Sequence, residues 1–164
     1  MKIPVLPIFA MTALLLSGCA GVSGIVPEQT NMVQVRAKAG SPTSIRFDRN
    51  GDELWEYATG PSGFETNLIR FSADGQVKEK TQILTQERLY SIDVGKMTKA
   101  DVLQTLGRPS DQSFPRTGTV WSWRFRDGPR MGYLAVSFNP DGTVRDRMLL
   151  IDPSGDGRSG GRDQ

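Results

Sequence analysis

The sequence predicts an α+β chain of two tandem units, each a helix packed on one face of an antiparallel sheet. Three observations carry this. A short helix around Val102 and Leu106 has both ends marked; Asp-Gly pairs divide alternating apolar strands; and the pattern recurs 67 residues apart.

The amino terminus stands outside the fold. Lys2 supplies a positive start, and Ile3 to Leu16 is an apolar run broken by Pro4 and Pro7, too short to span a ~30 Å hydrocarbon core. It ends in Leu16-Ser17-Gly18-Cys19, which resembles the bacterial lipobox, so residues 1–18 are expected to be a lipoprotein signal peptide and Cys19 the acylated residue. Cys19 is the one cysteine of the chain and has no disulfide partner within it. Ala20 follows instead of aspartate, which by resemblance to sorting signals favours the outer membrane. Residues 19–29, with Gly21, Gly24 and Pro27, read as a short tether.

The first unit is expected over 30–84. Its helix runs roughly from Met32 to Ala39, capped by Thr30 or Asn31, with Gly40 and Pro42 beyond it. Strands follow around Phe47, Trp55-x-Tyr57, Phe71 and Val77, with a hairpin turn at Asp74-Gly75.

The second unit is expected over 85–151. Thr98 is placed to accept the backbone N–H of Asp101, whose carboxylate sits in the positive first turn. Met97 and Val102 can staple across the cap, Val102 and Leu106 form one stripe, and Gly107 and Pro109 end the helix. On the strands, Trp121, Trp123 and Phe125 share one side, as do Leu134, Val136 and Phe138, and Asp141-Gly142 makes the next turn. These apolar sides are expected under the helices. At an offset of 67, Val35 matches Val102, Gly40 Gly107, Pro42 Pro109, Phe71 Phe138 and Val77 Val144; Trp55-x-Tyr57 aligns with Trp121-x-Trp123 after a one-residue slip. The two sheets lie side by side or join. Residues 152–164 are glycine, serine, aspartate and arginine apart from Pro153 and Gln164, an expected disordered tail. Asp152-x-Ser154-x-Asp156-Gly157 within it lacks the flanking helices of a calcium loop.

The series Leu89, Ile92, Gly95, Met97-Thr98, Val102, Leu106-Gly107, Pro109, then Trp121-x-Trp123, then Leu134-x-Val136-x-Phe138 and Gly142-x-Val144 resembles the SmpA/OmlA (BamE-like) bacterial lipoprotein family over Gln86 to Ile151. The resemblance implies a non-enzymatic scaffold or accessory module in outer-membrane protein assembly, lipid-anchored on the periplasmic face, with an envelope protein as partner. The first unit is the poorer match: it lacks the Gly-x-Met-Thr lead-in and carries Arg36 and Lys38 where the second has Leu103 and Thr105. As a tandem pair it is similar in architecture to the beta-lactamase inhibitory proteins. That similarity gives a second reading, a periplasmic enzyme inhibitor acting through an open sheet face. A third, a lipid or cell-wall carrier or enzyme, would need a deep pocket.

Inventory bounds the chemistry. Of 164 residues 37% are apolar and 23% charged, an ordinary globular composition. Without histidine, and with one cysteine, a Ser-His-Asp triad, a Cys-His pair and the usual Cys/His zinc sites are excluded; no metal and no cofactor are expected. Removal of Lys2 with the leader leaves 19 basic and 18 acidic residues, a balance that does not point to nucleic acid. Asp48, Glu53 and Asp93 occur singly in turns or on solvated faces, and Ser62 in Gly60-Pro61-Ser62-Gly63 has no base beside it. Strict alternation puts Arg124, Arg126, Tyr133, Arg145 and Arg147 on the side of the second sheet away from the helix, and Arg70, Lys78 and Lys80 on the corresponding side of the first. Such a face either binds an acidic protein surface or anionic headgroups, or is a solvated sheet face whose cations pair with Glu56, Glu65 and the like.

Overall fold

The computed structural model describes residues 21–59 and 63–151; the expected signal peptide, Cys19, Ala20, Gly60 to Ser62 and the expected tail from Asp152 lie outside the described residues. A 3-10 turn, Val22–Gly24, leads to helix α1 (Met32–Ala39) and strands β1 (Ser44–Phe47), β2 (Glu53–Ala58), β3 (Thr66–Phe71) and β4 (Val77–Gln82). Then come α2 (Gln86–Tyr90), α3 (Lys99–Leu106), β5 (Asp111–Ser113), β6 (Thr119–Asp127), β7 (Arg130–Phe138) and β8 (Val144–Ile151). The strands form two separate four-stranded antiparallel sheets, ordered β1-β2-β3-β4 and β5-β6-β7-β8.

The signals at the ends of α3 are used as the sequence predicts. The Thr98 hydroxyl accepts from the Asp101 N–H, and the Asp101 carboxylate accepts the Thr98 N–H at 2.9 Å, so two otherwise unpaired donors are satisfied reciprocally. Val102 and Leu106 are fully buried with Trp123, Phe125, Leu134, Val136, Phe138 and Val144, and Met97 packs against the same core. At about 1.5–3 kcal/mol for each large apolar side chain, this burial outweighs the propensity of so short a helix. In α1 the cap is Asn31, whose Oδ1 accepts the Gln34 N–H while Gln34 Oε1 accepts the Asn31 N–H. Its contribution to the core is smaller: Val35 is buried with Trp55, Tyr57, Ile69, Phe71 and Val77.

Both Asp-Gly turns join their strands as expected. Gly75 and Gly142 take φ of 80° and 89°, which favours glycine, and their N–H groups donate to Ser72 and Asn139. Met32 and Lys99, the first residues of α1 and α3, lie 67 positions apart, as do the C-cap glycines Gly40 and Gly107. Isolated bridges Asn31 to Gln76 and Thr98 to Thr143 keep the same spacing. So do the ladder irregularities after Arg70 and Ser137.

The expected tether is not free. Ile25 is buried in the core under α1 with Val22 against it, and Glu28 N–H donates to Val77 O at 2.8 Å. The counterparts 67 residues on are Leu89 and Ile92, buried in the other core, and Gly95, whose N–H donates to Val144 O at 2.8 Å. Gly95 has φ 76°; Glu28 takes φ 62° without being glycine. The composition of Gly21 to Pro27 hid two core positions because they are three apart and flanked by turn formers.

The layers stack in the order α1, first sheet, α3, second sheet. The side of the first sheet away from α1 carries Leu54, Glu56, Leu68, Thr66 and Ile83, all buried. They are covered by α3 and its C-cap: Arg46 on β1 donates to Gln104 at 2.9 Å, Arg49 pairs with Asp101, and Gly107 stands over Ile83 and Glu56. The first sheet is thus enclosed on both sides, the second on one.

Gly40 and Gly107 test this contact directly. Both hold a φ and ψ combination close to glycine-only, so alanine costs about 1–3 kcal/mol at each. A Cβ at Gly40 meets nothing within 4 Å, whereas at Gly107 it would lie 2.7 Å from Ile83 Cδ1 and 2.9 Å from Glu56 Oε1. Urea unfolding is therefore expected to show Gly107→Ala as the costlier substitution by about 1 kcal/mol or more; equal losses would mean that the two halves do not press together there.

Candidate functional site

A carboxylate at the junction of the two sheets organises the covered face. Glu56 is 1% exposed, too deep for a charge to persist without partners. Its Oε1 accepts the Arg46 Nε–H at 2.6 Å and its Oε2 accepts the Arg108 backbone N–H at 2.9 Å. Arg46 also donates from Nη1 to Gln104, and its Nη2 has no partner among the described residues. On the rim, hydrogen bonds from the Thr98 N–H and hydroxyl, together with the Arg49 guanidinium, hold the Asp101 carboxyl below the usual carboxylate range. Asp48 is no solitary turn acid: it accepts the Asn50 and Asp52 N–H groups and pairs with Arg70. Nor is Glu53, whose Oε1 accepts the Trp55 Nε1–H at 2.7 Å.

The uncovered surface is the outer face of the second sheet. Arg124 pairs across the ladder with Tyr133, which pairs with Leu150; Arg126 pairs with Met131; Ser122 pairs with Ala135, which pairs with Met148. Cross-strand partners share a face, so these residues form one surface. Tyr133 Oη donates to Ser122 Oγ at 2.7 Å, fixing its ring over the sheet. Met131, Tyr133, Met148 and Leu150 are all exposed. Among the described residues no carboxylate lies within ion-pair distance of Arg124 or Arg126. No group of three or more metal-ligating side chains is present among them either.

Of the five residues expected on this face, Arg124, Arg126 and Tyr133 are there and Arg145 and Arg147 are not. The register shifts between Ser137 and Phe138, where Phe138 pairs with Val144 and Ser137 with Asp146, leaving Arg145 as the extra residue of a bulge. One inserted residue reverses the side of everything after it. Arg147 consequently pairs with Val136 on the helix side, where its Nη1 donates to Tyr90 O at 2.6 Å and Ile92 O at 3.1 Å and its guanidinium lies over the Tyr90 ring. Arg145 turns to the Thr117 carbonyl. The first sheet repeats the displacement: Lys78 is the bulge residue and pairs with Asp52, and Lys80 pairs across to Ile69 on the α1 side and donates to Val22 O. Arg70 keeps the outer side but is held by Asp48, Asp52 and Glu79. The basic face is therefore two arginines among apolar side chains. Met148 and Leu150, brought to this side by the bulge, belong to it; the bulge leaves no composition signal in Val144-Arg145-Asp146.

Two helix-on-sheet units stacked in series, with a mixed apolar and cationic face left open at one end, define the class: an α+β chain that offers a surface more than an enclosed cavity. Residues 82–148 match the family described as the outer membrane protein assembly factor BamE domain. The match spans α2, α3 and most of the second sheet, nearly the stretch on which the sequence resemblance rests. No curated protein matches the chain. Among solved structures, a DUF4309 family protein (YjgB) from Bacillus subtilis subsp. subtilis str. 168 is 16% identical over 79% of this chain and 84% of its own, with a TM-score of 0.30. An extracellular protein containing a SCP domain from Bacillus anthracis str. Ames is 12% identical over 76% of this chain and 50% of its own, with a TM-score of 0.28. At such scores neither bears on the fold or function of this chain. No helix among the described residues is long and apolar enough to cross a membrane.

Two substitution sets follow from these contacts. Glu56→Ala leaves the Arg46 Nε–H and the Arg108 N–H without their acceptor, and is expected to cost about 3–5 kcal/mol in chemical denaturation, with Glu56→Gln, which keeps an acceptor, costing less. Arg147→Ala removes two charge-assisted bonds to the end of α2 and is expected to cost about 1 kcal/mol or more, whereas Arg124→Ala and Arg126→Ala each stay within about 0.5 kcal/mol of the parent. A stable Arg147→Ala would contradict its place on the helix side.

Proposed function

We propose that this chain is a lipid-anchored binding module of the outer membrane, facing the periplasm and acting without catalysis as a scaffold or accessory in envelope protein assembly. The BamE-domain match over residues 82–148 carries this reading. The Leu16-Ser17-Gly18-Cys19 sequence supports anchoring through an acylated Cys19, and the inventory, with no histidine and no second cysteine, supports a non-enzymatic role. The common 67-residue spacing of caps, bridges and bulges supports a further part of the proposal, that residues 22–84 form a second, diverged BamE-like unit.

Mass measurement on protein from its own cells should give a chain starting at acylated Cys19, and Cys19→Ser should move it from the membrane to the soluble fraction. Pull-down of the lipidated protein from detergent-solubilised envelopes should bring barrel-assembly subunits with it. Recovery instead of one soluble hydrolase in a one-to-one complex would replace the scaffold with an inhibitor, and an unacylated soluble protein would remove the anchor.

A further inference from the structure

We propose that the outer face of the second sheet docks an acidic amphipathic α-helix of a partner protein, in the way the equivalent face of the first sheet already holds α3. The inference rests on the binding-module reading and says which surface does the binding and what it binds.

The internal contact is the template. On the first sheet, Ile83 and Thr66 are buried beneath the second half of the chain, while arginines at the sheet margin reach helix side chains: Arg46 to Gln104 and Arg49 to Asp101. In the second sheet, Leu150 and Tyr133 stand 67 residues further on, at the same places in the ladder. Ile83 is 0% exposed and Leu150 is 54%; Thr66 is 5% exposed and Tyr133 is 36%. The surface that α3, its C-cap and the residues just after it cover in one sheet is thus bare in the other. There it forms an open hollow lined by Arg124, Met131, Tyr133 and Leu150 together with Phe64.

Charge selects the occupant. Arg124 and Arg126 stand beside the hollow with no carboxylate in ion-pair range among the described residues, which suits a helix bearing Asp or Glu next to its apolar stripe. A second copy of this chain fits poorly. Its α1, Met32–Ala39, carries Arg36 and Lys38 and no carboxylate, so it offers nothing to pair with Arg124 and Arg126. An anionic bilayer fits poorly too, because headgroup recognition draws on clusters of about four to eight cations. This face presents two and also carries Asp146, the partner of Ser137.

The experiment uses the full-length, lipidated protein in its own envelopes, with the photo-crosslinker p-benzoylphenylalanine at position 148 or 150 and, as a control surface, at position 33 on α1. Adducts from 148 and 150 are expected to map by peptide sequencing to one carboxylate-bearing, helix-forming segment of another protein. Their yield should fall at least tenfold in the Arg124→Glu, Arg126→Glu double variant while circular dichroism and Tm stay unchanged. Adducts only to lipid, to a second copy, or to a non-helical segment would overturn the proposal, as would their absence. Adducts to an envelope protein from position 33 alone would overturn this surface and leave the scaffold standing; no adduct anywhere, together with an empty pull-down, would remove both.

Discussion

A carboxylate withdrawn from water has to be answered by donors that the fold brings to it, and Glu56 is answered from both halves of the chain. Arg46 comes from the neighbouring strand of its own sheet, and the Arg108 N–H comes from just beyond the C-cap of α3. Such a group contributes little net stability compared with an apolar pair, but it is intolerant of displacement. Leu54, Leu68 and Ile83 around it supply the apolar burial that drives the two halves together; Glu56 fixes where they meet. Gly107 follows from the same constraint, since only a residue without a side chain leaves room for Ile83 and the carboxylate at that point.

Elements with local signals were legible in the sequence. The α3 caps, the Asp-Gly turns and the inward aromatics of the second sheet each rest on residues within a few positions of one another, and the structure places them as read. Asn31 over Thr30 as the cap of α1 was left open by the sequence and is settled by the reciprocal bond with Gln34. What could not be read was whatever depended on distant pairing. The bulges at Lys78 and Arg145 are set by how β4 and β8 meet their neighbours, so alternation alone put Lys80 and Arg147 on the wrong side. Glu56 looked like a solvated strand residue because the helix that covers its face begins more than forty positions later.

The two halves solve the same packing problem with unequal material. α3 brings Val102 and Leu106 to its core, α1 only Val35, with Ala39 and Met32 partly buried beside it. Arg36 compensates in part by lying over the Trp55 ring at 5.4 Å. At the lead-in to each helix, Gly95 takes a left-handed conformation at no steric cost, while Glu28 holds nearly the same φ against its Cβ. The first half therefore depends more on the contacts it makes with its neighbours than on its own helix. Its enclosure between α1 and α3 is consistent with that dependence.

The docking of Val22 and Ile25 changes how the molecule would sit at a bilayer. Val22 packs against the core under α1, so an acyl group on Cys19 would be three residues from a side chain held by the fold, a reach of at most about 10 Å. The first sheet and α1, with Lys38 bonded to the Gly24 carbonyl, would then be held close to the headgroups. The bare face of the second sheet, at the far end of the stack, would then be carried outward into the periplasmic space.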